Sequence, residues 1–285
     1  MEFATRSLSP HESRVVLALS EQRRREIDRT EVAKTLDISL HAADHVIRSL
    51  RRKGWLERAS WGRYLLIPPE QGPDALGESN LLALASRIAL PYYIGYGTAA
   101  AHYGFTTQIR NVIWLVTPQR VRDRHIQDAQ VRIVKPTPRK FFGFSAIDVY
   151  GYEVMMSDRE KTVIDCIDRP DCAGGVSEAA VILGAASGKL DWPKLAAYID
   201  QIDSSSLARR VGWLADHVGA PMPAGVREGL QRHVHSGAMP SIGPTRPSAT
   251  SIGRDSVWRV MVTATSDELS GSAGLGRRHT VRRGP

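Results

Sequence analysis

Residues 29–67 of this 285-residue chain read RTEVAKTLDISLHAADHVIRSLRRKGWLERASWGRYLLI. Apolar residues at helical spacing predict two short helices, with Thr30 capping the first and Ser39 capping the second. Only Asp37-Ile38-Ser39 separates them, which allows a tight turn. Gly54 follows three cations, a combination typical of a helix C-terminus. Residues 55–58 and 63–67 then favour two strands joined by a turn, and Pro68-Pro69 ends the second strand.

Helix, turn, helix and hairpin is the order of a winged helix-turn-helix domain, a fold that commonly binds DNA. A predicted helix over residues 10–22 supplies the first helix of such a domain. The side chains left outside the apolar faces are short polar groups and cations, which suit base edges and phosphates. The predicted DNA contacts are Thr30, Ser39, His41, Asp44, His45, Arg48, Arg51, Arg52, Lys53, Arg58, Ser60, Trp61 and Arg63. A solvated basic helix on a protein-binding module fits the same pattern.

Composition bounds the class of protein. The chain has 38 Lys and Arg against 30 Asp and Glu, a formal charge of +8, which favours an anionic partner. Its length has room for two domains. No run of about eighteen apolar residues or signal-peptide core is present, so we expect a cytoplasmic protein without a membrane partner. Cys166 and Cys172 have neither zinc-site nor redox-pair spacing, and we expect two reduced thiols.

The rest of the chain predicts strands first and helices later. Apolar runs favour strands near residues 91–97, 112–116, 131–134 and 153–156, with 112–116 central, and helices follow between residues 158 and 233. The predicted fold class is α+β: a winged helix-turn-helix, then a mixed α/β domain with a helical C-terminal part. The predicted domains are residues 1–75, 76–269 and a disordered basic tail, 270–285. Residues 236–256 favour irregular structure, and 257–262 a strand that pairs onto the second-domain sheet.

Two segments of the second domain carry a family resemblance. Residues 92–106, YYIGYGTAAAHYGFT, resemble the opening of the C-terminal domain of AbiEi-type antitoxins. Residues 158–170, DREKTVIDCIDRP, followed by Ala173-Gly174-Gly175, resemble a second signature of that family, and Trp258-Arg259-Val260 resembles its C-terminal strand. With the N-terminal winged helix, the resemblance covers about residues 12–269.

The resemblance implies an antitoxin and transcriptional repressor of a type IV toxin–antitoxin pair used in phage defence. It implies two partners: a nucleotidyltransferase toxin encoded beside it, and double-stranded DNA repeats in its own promoter, bound by the winged helix. Toxin neutralisation would belong to the C-terminal domain. The alternative is an ordinary winged-helix transcription factor whose second domain senses a ligand or binds a protein.

Catalysis has weak support in the sequence, and we expect no enzyme, metal or cofactor. Gly95-Tyr96-Gly97-Thr98 resembles the phosphate loop of nucleotidyltransferases, but the next strand, residues 111–117, has no carboxylate to hold magnesium. The densest acidic cluster has a structural explanation. Ser157-Asp158-Arg159-Glu160 fits a capping box that opens with Ser157 and puts Asp158 and Glu160 in the first helical turn, and Asp165 can pair with Arg169 at i,i+4.

A second basic segment lies between residues 119 and 142. Its candidate toxin or flanking-DNA contacts are Arg120, Arg122, Arg124, Arg139 and Lys140, and Phe141 and Phe142 follow them. Aromatic rings beside cations suit nucleic acid. A solvated edge with buried rings explains the same residues.

Overall fold

A computed structural model describes residues 7–22, 24–60, 62–67, 78–108, 111–126, 129–149, 152–235, 237–244 and 250–273. The helices are α1 (Pro10–Glu21), α2 (Arg29–Leu36), α3 (Leu40–Arg52), α4 (Glu78–Ala85), α5 (Tyr96–His102), α6 (Arg159–Asp168), α7 (Val176–Ala186), α8 (Trp192–Ile202), α9 (Ser205–His217), α10 (Ala224–Gln231) and α11 (Ser266–Ala273). The strands are β1 (Glu26–Asp28), β2 (Leu56–Ser60), β3 (Arg63–Leu66), β4 (Tyr93–Ile94), β5 (Val112–Val116), β6 (Arg124–Ile126), β7 (Ala129–Val134), β8 (Phe144–Val149), β9 (Tyr152–Ser157), β10 (Ser241–Ile242), β11 (Ser251–Asp255) and β12 (Val260–Thr265).

The chain is a mixed α+β protein that forms two compact units. The first unit contains Met1–Pro91, Arg124–Ala129 and Ala146–Val154, and the second contains the remainder. The predicted division was contiguous, with a boundary between residues 75 and 76 that lies outside the described residues. The first unit therefore includes two segments that come from far along the chain.

In the first unit, α1, α2 and α3 pack around one apolar core. Val15, Val32 and Ile47 contribute to it from the three helices and are almost fully buried. Strands β1, β3 and β2 form an antiparallel sheet in that order, with Ile27 opposite Tyr64. The predicted helices and hairpin strands of this region are confirmed.

The predicted cap of α2 is wrong by two residues. The N-cap is Asp28, whose carboxylate accepts from the backbone N–H groups of Thr30 and Glu31, both at 2.9 Å. The Glu31 carboxylate in turn accepts from the Asp28 backbone N–H, at 2.9 Å. Thr30 itself lies in the first turn, and its hydroxyl donates to Asp28. A reciprocal capping box satisfies more of the free N–H groups of the first turn than a single threonine can.

The largest sheet has the strand order β6-β7-β5-β4-β9-β8. Strand β5 lies in its interior, as predicted, and pairs parallel to β7 with Ile113 opposite Val131. The strand predicted at residues 91–97 is only Tyr93–Ile94, because α5 already begins at Tyr96. The hydrophobic core of the second unit includes residues from α6 to α9, among them Ile164, Leu183, Ile199 and Val211.

Three expectations about the C-terminal region are wrong. Residues 236–256 contain strands β10 and β11, where irregular structure was expected. The last strand runs over Val260–Thr265 and forms a separate sheet, β10-β12-β11, so it does not pair onto the larger sheet. Helix α11 continues to Ala273, into the segment predicted to be disordered, while residues 274–285 lie outside the described residues.

Candidate nucleic-acid interface

Helix α3 exposes one face because its other face is apolar. Ala43, Ile47 and Leu50 are at most 1% exposed and pack into the core of the first unit. The Ser39 hydroxyl accepts from the Ala42 backbone N–H at 3.2 Å and caps the helix as predicted. The exposed side chains of α3 include His41, His45, Arg48, Arg51 and Arg52.

The start of the exposed face carries two imidazoles and an ion pair. The rings of His41 and His45 meet edge to face, with centroids 4.8 Å apart. The Asp44 carboxylate lies 3.8 Å from the Arg29 guanidinium of α2. These groups offer hydrogen-bond donors and acceptors, and such groups at a helix start can contact base edges.

The second half of the face carries three arginines. Arg48 is exposed, and its Nε donates to the backbone carbonyl of Asp44 at 3.2 Å. Arg51 lies over the Tyr64 ring of β3, 5.8 Å from its centroid. Arg52 has no carboxylate within ion-pair distance in the described part of the chain. These guanidinium groups are therefore available to an external anion.

Lys53 differs from the other predicted contacts because its ion-pair partner is a buried carboxylate of another helix. Its Nζ lies 2.6 Å from Oε2 of Glu12, whose side chain is 4% exposed. Burial would raise the pKa of Glu12, but hydrogen bonds from Lys53, Ser49 and Ser9 outweigh it and lower that pKa to about 2. We therefore assign Lys53 to the packing of α1 against α3. The Lys53–Glu12 spacing of 41 residues explains why no local pattern revealed the pair.

The β2–β3 hairpin places more cations beside α3 in the first unit. Arg58 is exposed, and Arg63 lies 3.4 Å from Glu26 of β1. The register shifts between Arg58 and Ser60, and Gly62 has a φ of +75°, a conformation that suits glycine at a hairpin end. The side chain of Ser60 and all of Trp61 lie outside the described residues.

The cations of the second basic segment differ in whether they form ion pairs with described residues. Arg120, Arg122 and Arg124 are exposed, and Arg124 belongs to the first unit while the other two belong to the second. Arg139 lies 2.6 Å from Asp203, and Lys140 pairs with Asp168. Arg139 and Lys140 are therefore compensated, whereas Arg120, Arg122 and Arg124 form no ion pair with a described residue.

The two phenylalanines that follow pack inside the second unit. The Phe141 ring lies 4.9 Å from the Phe144 ring, and the Phe142 ring lies 4.9 Å from the Tyr198 ring. Both are half-buried against the main core. These contacts favour a packing role over base stacking.

A buried polar cluster lies in the second unit between β4 and α6. Lys161 is fully buried; it pairs with Asp165, and its Nζ donates to the Tyr93 hydroxyl at 3.1 Å. That hydroxyl donates to Asp165 at 3.0 Å. Burial raises the pKa of Tyr93, so its phenol stays protonated.

The predicted Asp165–Arg169 pair is wrong, because Arg169 pairs with Asp171. The i,i+4 spacing of Lys161 and Asp165 could have indicated their ion pair from the sequence.

The start of α6 also differs from its prediction. Asp158 is the N-cap and accepts from the Lys161 backbone N–H at 2.8 Å, whereas the Ser157 hydroxyl contacts Thr162 at 2.8 Å. Lys194 bridges Asp158 and Glu160 at 3.0 and 2.9 Å. The acidic residues at the helix start are therefore paired.

The glycine-containing loop at Gly95 has a structural explanation. Thr98 is 6% exposed, and its hydroxyl accepts from the Trp114 backbone N–H at 2.9 Å and donates to the Val112 carbonyl at 3.2 Å. This hydroxyl links α5 to β5. A Cβ on Gly97 would lie 3.2 Å from the Cys172 carbonyl, so glycine permits close packing there.

Other site types have little support in the described part of the chain. Three or more His, Cys, Asp or Glu side chains do not group there as a metal site would require. Cys166 and Cys172 are buried free thiols, and burial raises the pKa of both. None of the helices described is both long and apolar enough to cross a bilayer.

Comparison with known proteins bears on the fold. No protein-family model and no curated protein matches this chain. Among solved structures, the chain is similar to the crystal structure of the RV2827C protein from Mycobacterium tuberculosis, with a TM-score of 0.61 and 18% identity. The similarity covers 95% of this chain and 97% of that one. At this identity it extends to the fold alone.

Proposed function

We propose that this protein is a winged-helix DNA-binding repressor that also acts as the antitoxin of a type IV toxin–antitoxin pair. The observation that carries the DNA-binding part is the basic face of α3 beside the β2–β3 hairpin. The order α1-β1-α2-α3-β2-β3 and the sheet order β1-β3-β2 support a winged helix in which α3 enters the major groove.

Charge and shape both support a nucleic-acid partner for this face. Arg48, Arg51, Arg52 and Arg58 are exposed on α3 and the hairpin. Cations on one helix face and an adjacent hairpin can neutralise phosphates on either side of a groove. His41, Asp44 and His45 at the start of α3 offer groups for base edges. The protein would act in the cytoplasm, where its DNA lies.

The antitoxin part rests on the family resemblance of residues 92–106 and 158–170. The contacts of these segments are internal to the second unit: the Tyr93–Lys161–Asp165 cluster, Thr98 and the cap at Asp158. We infer that the resembling residues maintain the fold of this unit. Its surface would then contact or otherwise counter the nucleotidyltransferase toxin.

A gel shift with DNA upstream of the protein's own coding sequence tests the first part. The wild type should bind this DNA more tightly than a scrambled duplex. Arg51→Ala/Arg52→Ala should lose at least tenfold in affinity. Arg232→Ala/Arg254→Ala removes the same charge elsewhere and should bind as the wild type does. Equal binding by all three proteins would contradict DNA recognition by α3.

Co-expression with the adjacent nucleotidyltransferase gene tests the second part. The wild type should rescue growth, and Arg51→Ala/Arg52→Ala should also rescue it, because neutralisation belongs to the second unit. Specific DNA binding without rescue would favour the alternative, a transcription factor whose second unit senses a ligand or binds another protein.

A further inference from the structure

Two arginines of the second unit lie close together and form no ion pair with any residue that the structure describes. Arg209 of α9 is 3% exposed. Its NH1 donates to the backbone carbonyl of Arg259 at 3.3 Å, and its NH2 donates to the carbonyl of Ala238 at 2.9 Å. Arg259 immediately precedes β12 and is half-buried. The Nε atoms of both residues are buried and have no hydrogen-bond partner among the described residues.

The two carboxylates that contact Trp258, the residue before Arg259, are already engaged. Asp216 binds Arg227 at 2.6 Å and accepts from the Trp258 indole at 2.7 Å. Asp255 accepts from the Trp258 backbone N–H at 2.7 Å. In the part of the chain that the structure describes, neither Arg209 nor Arg259 forms an ion pair. The undescribed positions of the second unit, which are 109, 110, 236, 245–249 and 274–285, contain no aspartate or glutamate.

Uncompensated guanidinium groups are costly inside a protein. Burial lowers the pKa of Arg209, and the neighbouring charge of Arg259 lowers it further. A lysine in this position could lose its proton, but a guanidinium stays charged at any pH at which proteins fold. An anion bound beside these two positive groups would therefore stabilise the fold.

Hydrogen bonds to carbonyls explain the position of Arg209 but not that of Arg259. The two carbonyl contacts of Arg209 link the segments before β10 and β12, and Arg210 adds a contact from its Nε to the Ser241 carbonyl at 3.1 Å. These contacts leave the Arg259 side chain unexplained. Arg259 also adopts a φ of +51°, which is strained for a residue with a Cβ. Such strain often accompanies ligand-binding positions.

We propose that Arg209 and Arg259 form a binding site for a phosphate group, which enters on the half-buried side of Arg259. The unpartnered Nε of Arg209 and the guanidinium fork of Arg259 can donate to phosphate oxygens. A phosphate dianion neutralises both positive charges, whereas a single carboxylate would leave one uncompensated. The group could be free phosphate or the end of a nucleotide. This site lies outside α3 and the hairpin, and it does not depend on DNA binding.

Anion-dependent stability of the full chain tests the site. Thermal unfolding and calorimetric titration would use sodium phosphate, pyrophosphate and ATP, each against sodium chloride at the same ionic strength. Arg259→Gln removes the charge but keeps the carbonyl that Arg209 binds. Arg254→Gln, at an exposed position in β11, is the matched control.

The wild type and Arg254→Gln should melt at higher temperature with phosphate than with chloride, and Arg259→Gln should bind at least tenfold more weakly. In chloride alone, Arg259→Gln should be as stable as the wild type or more stable, because it removes a like-charge repulsion. If Arg259 served only to stabilise the fold, Arg259→Gln would be less stable than the wild type in chloride. Binding of free phosphate identifies the free ion, and binding of only pyrophosphate or ATP identifies a nucleotide end.

Two results would overturn the proposal. One is the same response to phosphate, pyrophosphate and ATP as to chloride. The other is an equal rise in melting temperature with phosphate in the wild type and in Arg259→Gln. If Arg259→Gln does not fold, Arg259→Lys serves instead, because it keeps a charge but loses the planar fork; unchanged phosphate affinity in that variant would also count against the site.

Discussion

Replacing Lys53 with methionine should destabilise the first unit while leaving its DNA affinity nearly unchanged. Methionine keeps the aliphatic stem of the side chain but removes the ammonium that lies 2.6 Å from the Glu12 carboxylate. That carboxylate is 4% exposed, so water cannot fully replace the lost partner. A buried charge left without its partner is among the most destabilising changes in proteins.

The magnitude follows from the Glu12 pKa. The fall of this pKa from an ordinary 4.5 to about 2 corresponds to about 3.5 kcal/mol, at about 1.4 kcal/mol for each tenfold change in proton affinity. Hydrogen bonds from Ser49 and Ser9 supply part of that energy. Lys53 is also 25% exposed, so water screens the pair. We therefore expect Lys53→Met to cost about 2 kcal/mol at pH 7.

The pH dependence has a definite sign. The folded-state pKa of Glu12 lies below its unfolded value, so its stabilisation is complete above pH 4.5 and is lost as the pH falls towards about 2. Urea unfolding at pH 7 and near pH 3, with Lys34→Met as an exposed control, should show the deficit of Lys53→Met shrinking in acid. Glu12→Gln/Lys53→Met should recover part of the loss. A cost at pH 7 below about 0.5 kcal/mol, or a tenfold loss of DNA affinity in folded Lys53→Met, would refute the assignment.

Three further predictions concern the proposed function. With Lys53 assigned to packing, three to five arginines remain to neutralise phosphates. The log–log slope of DNA affinity against salt concentration should then be roughly −2.7 to −4.5 per bound copy, and a slope near zero would exclude a phosphate-binding role. The fragment of residues 1–70 should still bind operator DNA but unfold at a lower urea concentration than the first unit of the full chain, because it lacks Tyr152, whose hydroxyl donates to the Leu66 carbonyl. Equal urea midpoints for the fragment and the full chain would show that this contact is dispensable. Arg120→Glu/Arg122→Glu should fold and bind the operator but fail to rescue growth. Full rescue would mean that these arginines are only solvated surface residues.

Local sequence rules predicted α1, α2, α3 and the β2–β3 hairpin, but not β1 or β6, because the signals of the predicted elements lie within a few residues of each other. Apolar periodicity located α1, α2 and α3, and Ser39 caps α3 as expected. The cap of α2 was missed because Asp28 competes with Thr30, and a carboxylate with a reciprocal Glu31 makes the better cap.

Long-range partners account for most of the remaining differences. Nothing near Lys53 in the sequence reveals Glu12, and nothing near Val260 reveals that β12 joins β10 and β11 in a separate sheet. Strand β8 was missed because it alternates weakly, with exposed Ser145, Ala146 and Asp148. Cross-strand pairing to a neighbour fixes such strands more than their own composition does.

The candidate site was predictable in outline. The basic face of α3 followed from apolar periodicity alone, since burying Ala43, Ile47 and Leu50 leaves the arginines outside. Which cations are free was not predictable, because ion pairs such as Lys140 with Asp168 depend on tertiary contacts.

Fluorescence anisotropy with Arg48→Ala and Arg52→Ala tests the central claim most directly. Each variant would be titrated with the protein's own upstream DNA and with a scrambled duplex of the same composition. A base contact discriminates by about 1–3 kcal/mol, so Arg48→Ala should lose roughly tenfold in preference for its own DNA. Arg52→Ala should weaken both duplexes by the same factor, as loss of a phosphate contact does. Wild-type affinities for both duplexes in both variants would contradict the claim that α3 binds DNA.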